Sequence, residues 1–405
     1  MKKITTLILS VSVSFSVLAQ KKELKNVEKL IKRSDFTQAA EGIKGLEPMV
    51  KDTQYESYYY FLLGKVYFGD ETTKEKDYQT AAINFYKTLE VESRVGKEKY
   101  SEKAVNYLNN ISDDYYKKIN KFLKQEDYKK TGDLYEALYK TQPGRKDLLD
   151  LLLYCRLTSK DYSEAAKILE KSLKLLGDVS FNAVNKHTLK NNEFFKKEDR
   201  DKAVKIGTHI SPSEAKVDKK VRIEYYSNLV GIYDQQENFE KEMVKLKEAK
   251  KEFPKHVPFY ENYAAVIYKT GDKEAYISAL EEVLELTPEN KNSWYNLGVI
   301  SQDLGNSEKA SAAYDKVIEL DPNYVNAYIN KGLIIMSEEK SLIKELNANR
   351  GTKKYGVIKD RLTDMYTKSI PFFEKAYSLK KDEGVKSTLK GLYNSIGETK
   401  KAAAL

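Results

Sequence analysis

Residues 292–323 read NSWYNLGVISQDLGNSEKASAAYDKVIELDPN, and this stretch decides how the rest of the chain is understood. Trp294, Leu297 and Gly298 fall at helical spacing. Gly305 and Asn306 then break the pattern, and Ala310, Tyr314 and Val317 line one face of a second helix that ends before Asp321-Pro322. Neither helix can bury its apolar stripe alone, so the pair needs neighbours of the same kind.

A constant step along the chain finds them. Pro254, Pro288 and Pro322 are evenly spaced, and the bulky residues Tyr226, Tyr260, Trp294 and Tyr328 at the start of each first helix keep the same interval. Gly271 and Gly305 share one turn position. The small residues Ala264, Gly298 and Gly332 share another, where helices approach closely. Each Pro ends a second helix, because the residue before it is driven out of the α region. Trp294 is expected to be buried between the helices of its own repeat, in the gap left by Gly298 and Ala264.

The order Trp, Leu-Gly, Gly, Ala, Tyr, Pro resembles the tetratricopeptide repeat, with Ser301 standing where a Tyr is usual. The resemblance implies an all-α, right-handed helical-repeat solenoid of about nine helix pairs. Repeats begin at 223, 257, 291 and 325. After Ile335 the pattern resumes at Ser369, Phe373 and Ala376, well past the place the period assigns. The reading is therefore a block over 223–405 with a helical insertion at about 336–360 and a capping helix at 384–403.

An N-terminal block covers 20–179, with Leu63, Gly64 and Tyr67 in the Leu-Gly-x-x-Tyr positions. Between the blocks, 180–222 reads as a divergent basic joint. There Phe194, Phe195, Ala203 and Val204 suggest a helix pair, and Ser211-Pro-Ser-Glu214 suggests the capping box of a long helix.

At 405 residues, 41% hydrophobic and 32% charged, the chain has too much apolar surface for disorder and too much charge for a membrane bundle. Its length exceeds what one core supports, which favours a solenoid of layers. The start MKKITTLILSVSVSFSVLAQ has two lysines, a short apolar run and a Val17-x-Ala19 cleavage pattern, so 1–19 reads as a secretory signal. Periplasmic location is expected, with secretion as the second choice. Cys155 is the only cysteine, excluding an internal disulfide, and it sits in an apolar helix as a structural thiol.

Formal charge is +9, and residues 184–222 carry eleven Lys and Arg against six Asp and Glu. In an exported protein this excess favours anionic envelope components such as lipopolysaccharide over nucleic acid. His187, His209 and His256 are too far apart for one helical metal motif, and no cysteine cluster accompanies them. No phosphate loop or recognisable nucleophile is present. The chain is read as non-catalytic, with no cofactor, no metal and no membrane span.

Asn228, Asn262, Asn296 and Asn330 occupy one slot of four consecutive repeats. The resemblance implies that this slot faces the concave groove, with Tyr268 and Gln302 beside it. Stacked asparagines there resemble the ladders that hold an extended peptide backbone, each amide offering donor and acceptor. The same residues can instead bond between adjacent helices, and both readings stand at this point. Tyr295 and Val299 replace the Lys and Asn with which chaperone-binding members read a terminal carboxylate, which disfavours that ligand class.

The ending PFFEKAYSLKKDEGVKSTLKGLYNSIG resembles a group of exported Bacteroidota repeat proteins with a helical insertion in the last repeat, implying an envelope protein. The expected function is an exported scaffold binding a protein or peptide in its groove, within a cell-envelope assembly. The alternative is a binder of anionic envelope polymer through 184–222. Export is checked by mass spectrometry of the native protein: the chain should start near Gln20, and an intact Met1 would remove the compartment argument.

Overall fold

The computed structural model describes residues 19–71, 73 and 76–405, so most of the expected signal lies outside the described residues. Contacts divide the chain into two compact units, the first ending at Ile232 and the second beginning at Tyr233. Both are built mainly from antiparallel helix pairs.

In the second unit the helices Val257–Thr270, Lys291–Asp303 and Val325–Ile335 begin at equal intervals, the period expected from the sequence. Each of the first two is followed by a partner, Lys273–Leu286 and Ser307–Leu320. The partner of the third comes only after an inserted helix, Glu339–Ala348, as the long helix Lys354–Leu379.

Three pairs are locked by a glycine on the first helix facing an aromatic ring on the second. An ideal Cβ at Gly298 would lie 2.5 Å from Tyr314, and one at Gly332 would lie 2.6 Å from Phe373. The first unit repeats the device, with Phe85 2.6 Å from the same point on Gly64. Tyr314 and Phe85 are fully buried and Phe373 almost so. The glycine is needed because the ring occupies the volume of its missing side chain.

Six of the turns between paired helices follow one rule. A residue in the left-handed region precedes an Asp or Asn whose side chain accepts a bond from the backbone N–H three residues on, capping the second helix. The left-handed residues are Ser34, Glu126, Lys160, Glu237, Gly271 and Gly305, with φ between 53° and 81°. The caps are Asp35, Asp127, Asp161, Asn238, Asp272 and Asn306, at 2.9–3.4 Å. Only two of the six turns spend a glycine.

The start of each first helix is tied back as well. Tyr260 donates to the carbonyl of Pro254 at 3.2 Å, Trp294 to Pro288 at 2.8 Å and Tyr328 to Pro322 at 3.1 Å. This corrects the expectation for Trp294. It is half-buried at the helix entrance, and Tyr314 fills the gap at Gly298.

Residues 180–222 do not form a helical joint. They form a three-stranded antiparallel sheet of order β2-β1-β3, with β1 Val179–Asn185, β2 Asn191–Phe194 and β3 His209–Lys216. The helix Lys197–Lys205 lies between β2 and β3 in sequence. Phe194 is therefore a strand residue, packed with Ala183 and Ala203. Ser211-Pro-Ser-Glu214 belongs to β3, where Glu214 pairs with Phe181, and the following helix starts only at Lys219. Pro212 is tolerated because β3 is an edge strand. The all-α expectation thus holds for the repeats and not for this insert. The single capping helix expected over 384–403 is two helices, Glu383–Ser395 and Thr399–Ala404, separated at Gly397 with φ 85°.

The glycine interlock sets a test in which two effects oppose. Gly298→Ala gains about 1 kcal/mol of helix propensity but forces a methyl into the buried Tyr314 ring, an overpacking cost of roughly 1–3 kcal/mol. Gly391→Ala has the same propensity gain and nothing within 4 Å of the new methyl. Chemical denaturation should show Gly298→Ala destabilised and Gly391→Ala stabilised by about 0.5–1 kcal/mol.

Candidate functional site

The asparagine slot is occupied differently in each repeat. Asn262 and Asn296 are exposed on their first helices, whereas Asn330 is half-buried. Asn228, also half-buried, lies in the first unit, on the helix Lys219–Gln235. Tyr268 is 64% exposed, and its ring lies 5.1 Å from that of Tyr276 on the following helix.

Tyrosines from second helices reach this slot one repeat on. The Asn296 amide interacts with the Tyr276 phenol, pulling its pKa down against the rise that burial imposes. Asn330 donates to the hydroxyls of Tyr314 at 3.1 Å and Tyr295 at 3.3 Å, and Tyr314 donates to Gln302 at 3.0 Å. Burial pushes the Tyr314 phenol up to about 12, against the opposing pull of the Asn330 bond, so it stays a donor at neutral pH. Gln302 and Asn330 are thus joined through one buried tyrosine. With both N–H groups of Asn330 spent, its amide carbonyl is the group it can offer a ligand. Asn262 and Asn296, more exposed, are the members of the slot open to a partner.

A separate electrostatic feature lies at the start of the second unit. Glu242 is buried, and among the described residues its Oε2 accepts no hydrogen bond. Burial and the neighbouring Asp234 carboxylate push its pKa from 4.5 up to about 7, with Lys269 pulling the other way. Lys269 itself is bonded to Asp234. The group binds its proton more tightly folded than unfolded. Its stabilising contribution is therefore complete below about pH 4.5 and lost as pH rises through about 7.

The other sequence candidates resolve individually. Cys155 is buried, and desolvation raises its thiol to about 11, which keeps it protonated and unreactive. His187 meets Asp113 at 3.0 Å, His209 is buried, and His256 packs on Phe259. Among the described residues no group of three or more His, Cys, Asp or Glu is placed to hold a metal. No described helix is long and apolar enough to cross a membrane. Part of the basic excess is already paired: Lys197 and Arg200 with Glu214, and Lys202 with Glu90. Lys186, Lys190, Lys196 and Lys205 are exposed.

The pH dependence of Glu242 is measurable. Glu242→Gln should raise stability above pH 7 by up to about 3 kcal/mol and leave it unchanged near pH 4. Thermal denaturation at the two pH values checks this. An equal gain at both would show that packing, not ionisation, is responsible.

The tetratricopeptide repeat profile matches residues 292–324. No curated protein matches the chain. Among solved structures, a crystal structure of MamA protein is 17% identical, covering 44% of this chain and 85% of its own, with a TM-score of 0.33. MamA 41-end from Desulfovibrio magneticus RS-1 is 17% identical over 45% and 89%, with a TM-score of 0.33. YrrB, described as a TPR protein with an unusual peptide-binding site, is 15% identical over 55% and 87%, with a TM-score of 0.30. The chain is thus mostly helical with a small β insert, and a tetratricopeptide repeat is detected within its second unit.

Proposed function

We propose that the chain is an exported, non-catalytic scaffold that holds an extended protein or peptide segment against the first helices of its second unit, within a cell-envelope assembly. The observation that carries this reading is the pair Asn262 and Asn296. They present exposed amides from equivalent positions of successive helices, with the exposed Tyr268 ring on the Asn262 helix. An amide can donate to and accept from a peptide backbone at once, and an aromatic ring adds apolar contact at little entropic cost. The charged start, apolar run and Val17-x-Ala19 pattern support export to the periplasm, with secretion beyond it as the second destination.

A partner captured from envelope extracts by the mature chain provides the ligand for the test. Each backbone bond lost should cost roughly 0.5–1.5 kcal/mol, so Asn262→Ala with Asn296→Ala should weaken binding on the order of tenfold. An unaltered dissociation constant in the folded double variant sinks the reading. Binding that instead falls steeply with ionic strength would move the partner to the basic segment 184–222 and its anionic ligands.

A further inference from the structure

A cavity of about 300 Å³ lies inside the first unit, where the helix Tyr78–Val95 and the turn before Lys146 face β2, β3 and the helix Lys197–Lys205. Its walls are largely apolar: Ile83, Tyr86, Pro143, Phe194, Ala203 and Ile206. The polar groups on its floor are satisfied among themselves. Buried Arg145 forks onto Asp147 at 2.7 and 2.6 Å and reaches Gln142 at 2.6 Å. His209 is bonded through both ring nitrogens, to Thr208 and Asn192, each at 2.9 Å. At the rim Lys202 is held by Glu90 at 2.7 Å, and Lys87 lies over the Tyr60 ring at 4.7 Å.

Asp199 is the exception. It lines the cavity half-buried, and among the described residues its carboxylate takes part in no hydrogen bond or ion pair. The backbone makes room for it. Gly144 has φ 91°, and a Cβ there would lie 2.5 Å from Asp199 Oδ2. Burial raises this carboxyl above its ordinary range, with Lys196 and Lys202 pulling only partly back, which marks a charge that gains from a counter-ion.

We propose that this cavity binds a cationic group on an apolar stem, an alkylammonium or guanidinium, with its charge on Asp199 and its stem against Tyr86, Phe194 and Ile206. An anion of the same size would meet the unpaired Asp199 carboxylate, while the cations lining the cavity, Lys87, Arg145 and Lys202, are already engaged. The volume suits one such group, supplied either by a Lys or Arg side chain of a protein or by a free amine. The site is confined to the first unit and is independent of the asparagine face.

Calorimetric titration of the full mature chain with phenethylamine, N-acetyl-arginine methylamide and 3-phenylpropanoate tests the assignment. At least one of the two cations should bind, and the isosteric anion should not. Asp199→Asn should weaken the cation at least about tenfold, as expected for a lost charge-assisted bond. Ile83→Trp, at the exposed mouth, should block it without touching the carboxylate. Preference for the arginine derivative assigns a protein side chain as the source, and preference for phenethylamine assigns a small amine. The proposal is overturned if 3-phenylpropanoate binds as tightly as the cations or if neither cation binds at millimolar concentration. It is also overturned if Asp199→Asn, with an unchanged circular dichroism spectrum, binds as the natural chain does.

Discussion

The interlock of a first-helix glycine with a second-helix aromatic ring sets how closely three of the helix pairs can approach, and the packing of those pairs follows from that distance. Interiors packed at crystalline density leave no slack for an added methyl beside a fixed ring. At Gly64, Gly298 and Gly332 the ring comes from Phe85, Tyr314 and Phe373. The step from Gly298 to Tyr314 is that of the regular repeat. The step from Gly64 to Phe85 is wider because more residues separate the helices Glu56–Phe68 and Tyr78–Val95 in sequence, and the step from Gly332 to Phe373 spans the whole insertion. Sequence separation changes while the contact survives, so the contact, rather than the loop length, defines the pair.

Because helix ends leave N–H groups without intrahelical partners, closing these pairs also requires caps. The left-handed residue followed by Asp or Asn supplies them at a fixed place. Four of these turns put Ser, Glu or Lys in the left-handed region, a local strain of order 1 kcal/mol that packing on both sides offsets. The signal was present in the chain, since Asp127 and Asp161, and likewise Asn238, Asp272 and Asn306, stand one period apart. Attention to glycine alone finds only the turns at 271 and 305.

Periodicity made the helical repeats readable because every repeat reuses the same slots. The β insert has no such reinforcement. β2 is only Asn191–Phe194, and β1 buries only Ser180 and Ala183 in the sequence VSFNAVN, too short a pattern to distinguish from a polar helix. Ser211-Pro-Ser-Glu214 misleads for a related reason: the residue types that cap a helix are also those accepted on an exposed edge strand. Trp294 misleads because bulk suggests burial, whereas its indole N–H fixes it at the entrance, near the carbonyl it needs.

The asparagine slot was legible as a row and illegible as chemistry. Spacing could place Asn262, Asn296 and Asn330 on equivalent turns, but not the tyrosines that reach Asn296 and Asn330 from the preceding repeat. Those tyrosines occupy different positions, Tyr276 in one repeat and Tyr314 in the next. The structural and binding readings of the slot are therefore not exclusive. A hydroxyl that orients an amide from behind fixes which way its oxygen points, reducing the rotational freedom lost when a backbone docks. The tie is tightest at Asn330, where burial of Tyr314 removes competition from water, and among the described residues no tyrosine is bonded to Asn262. Asn330 is accordingly the half-buried member of the slot and Asn262 and Asn296 are the exposed ones, so the amides least engaged within the fold are those on the two earlier helices.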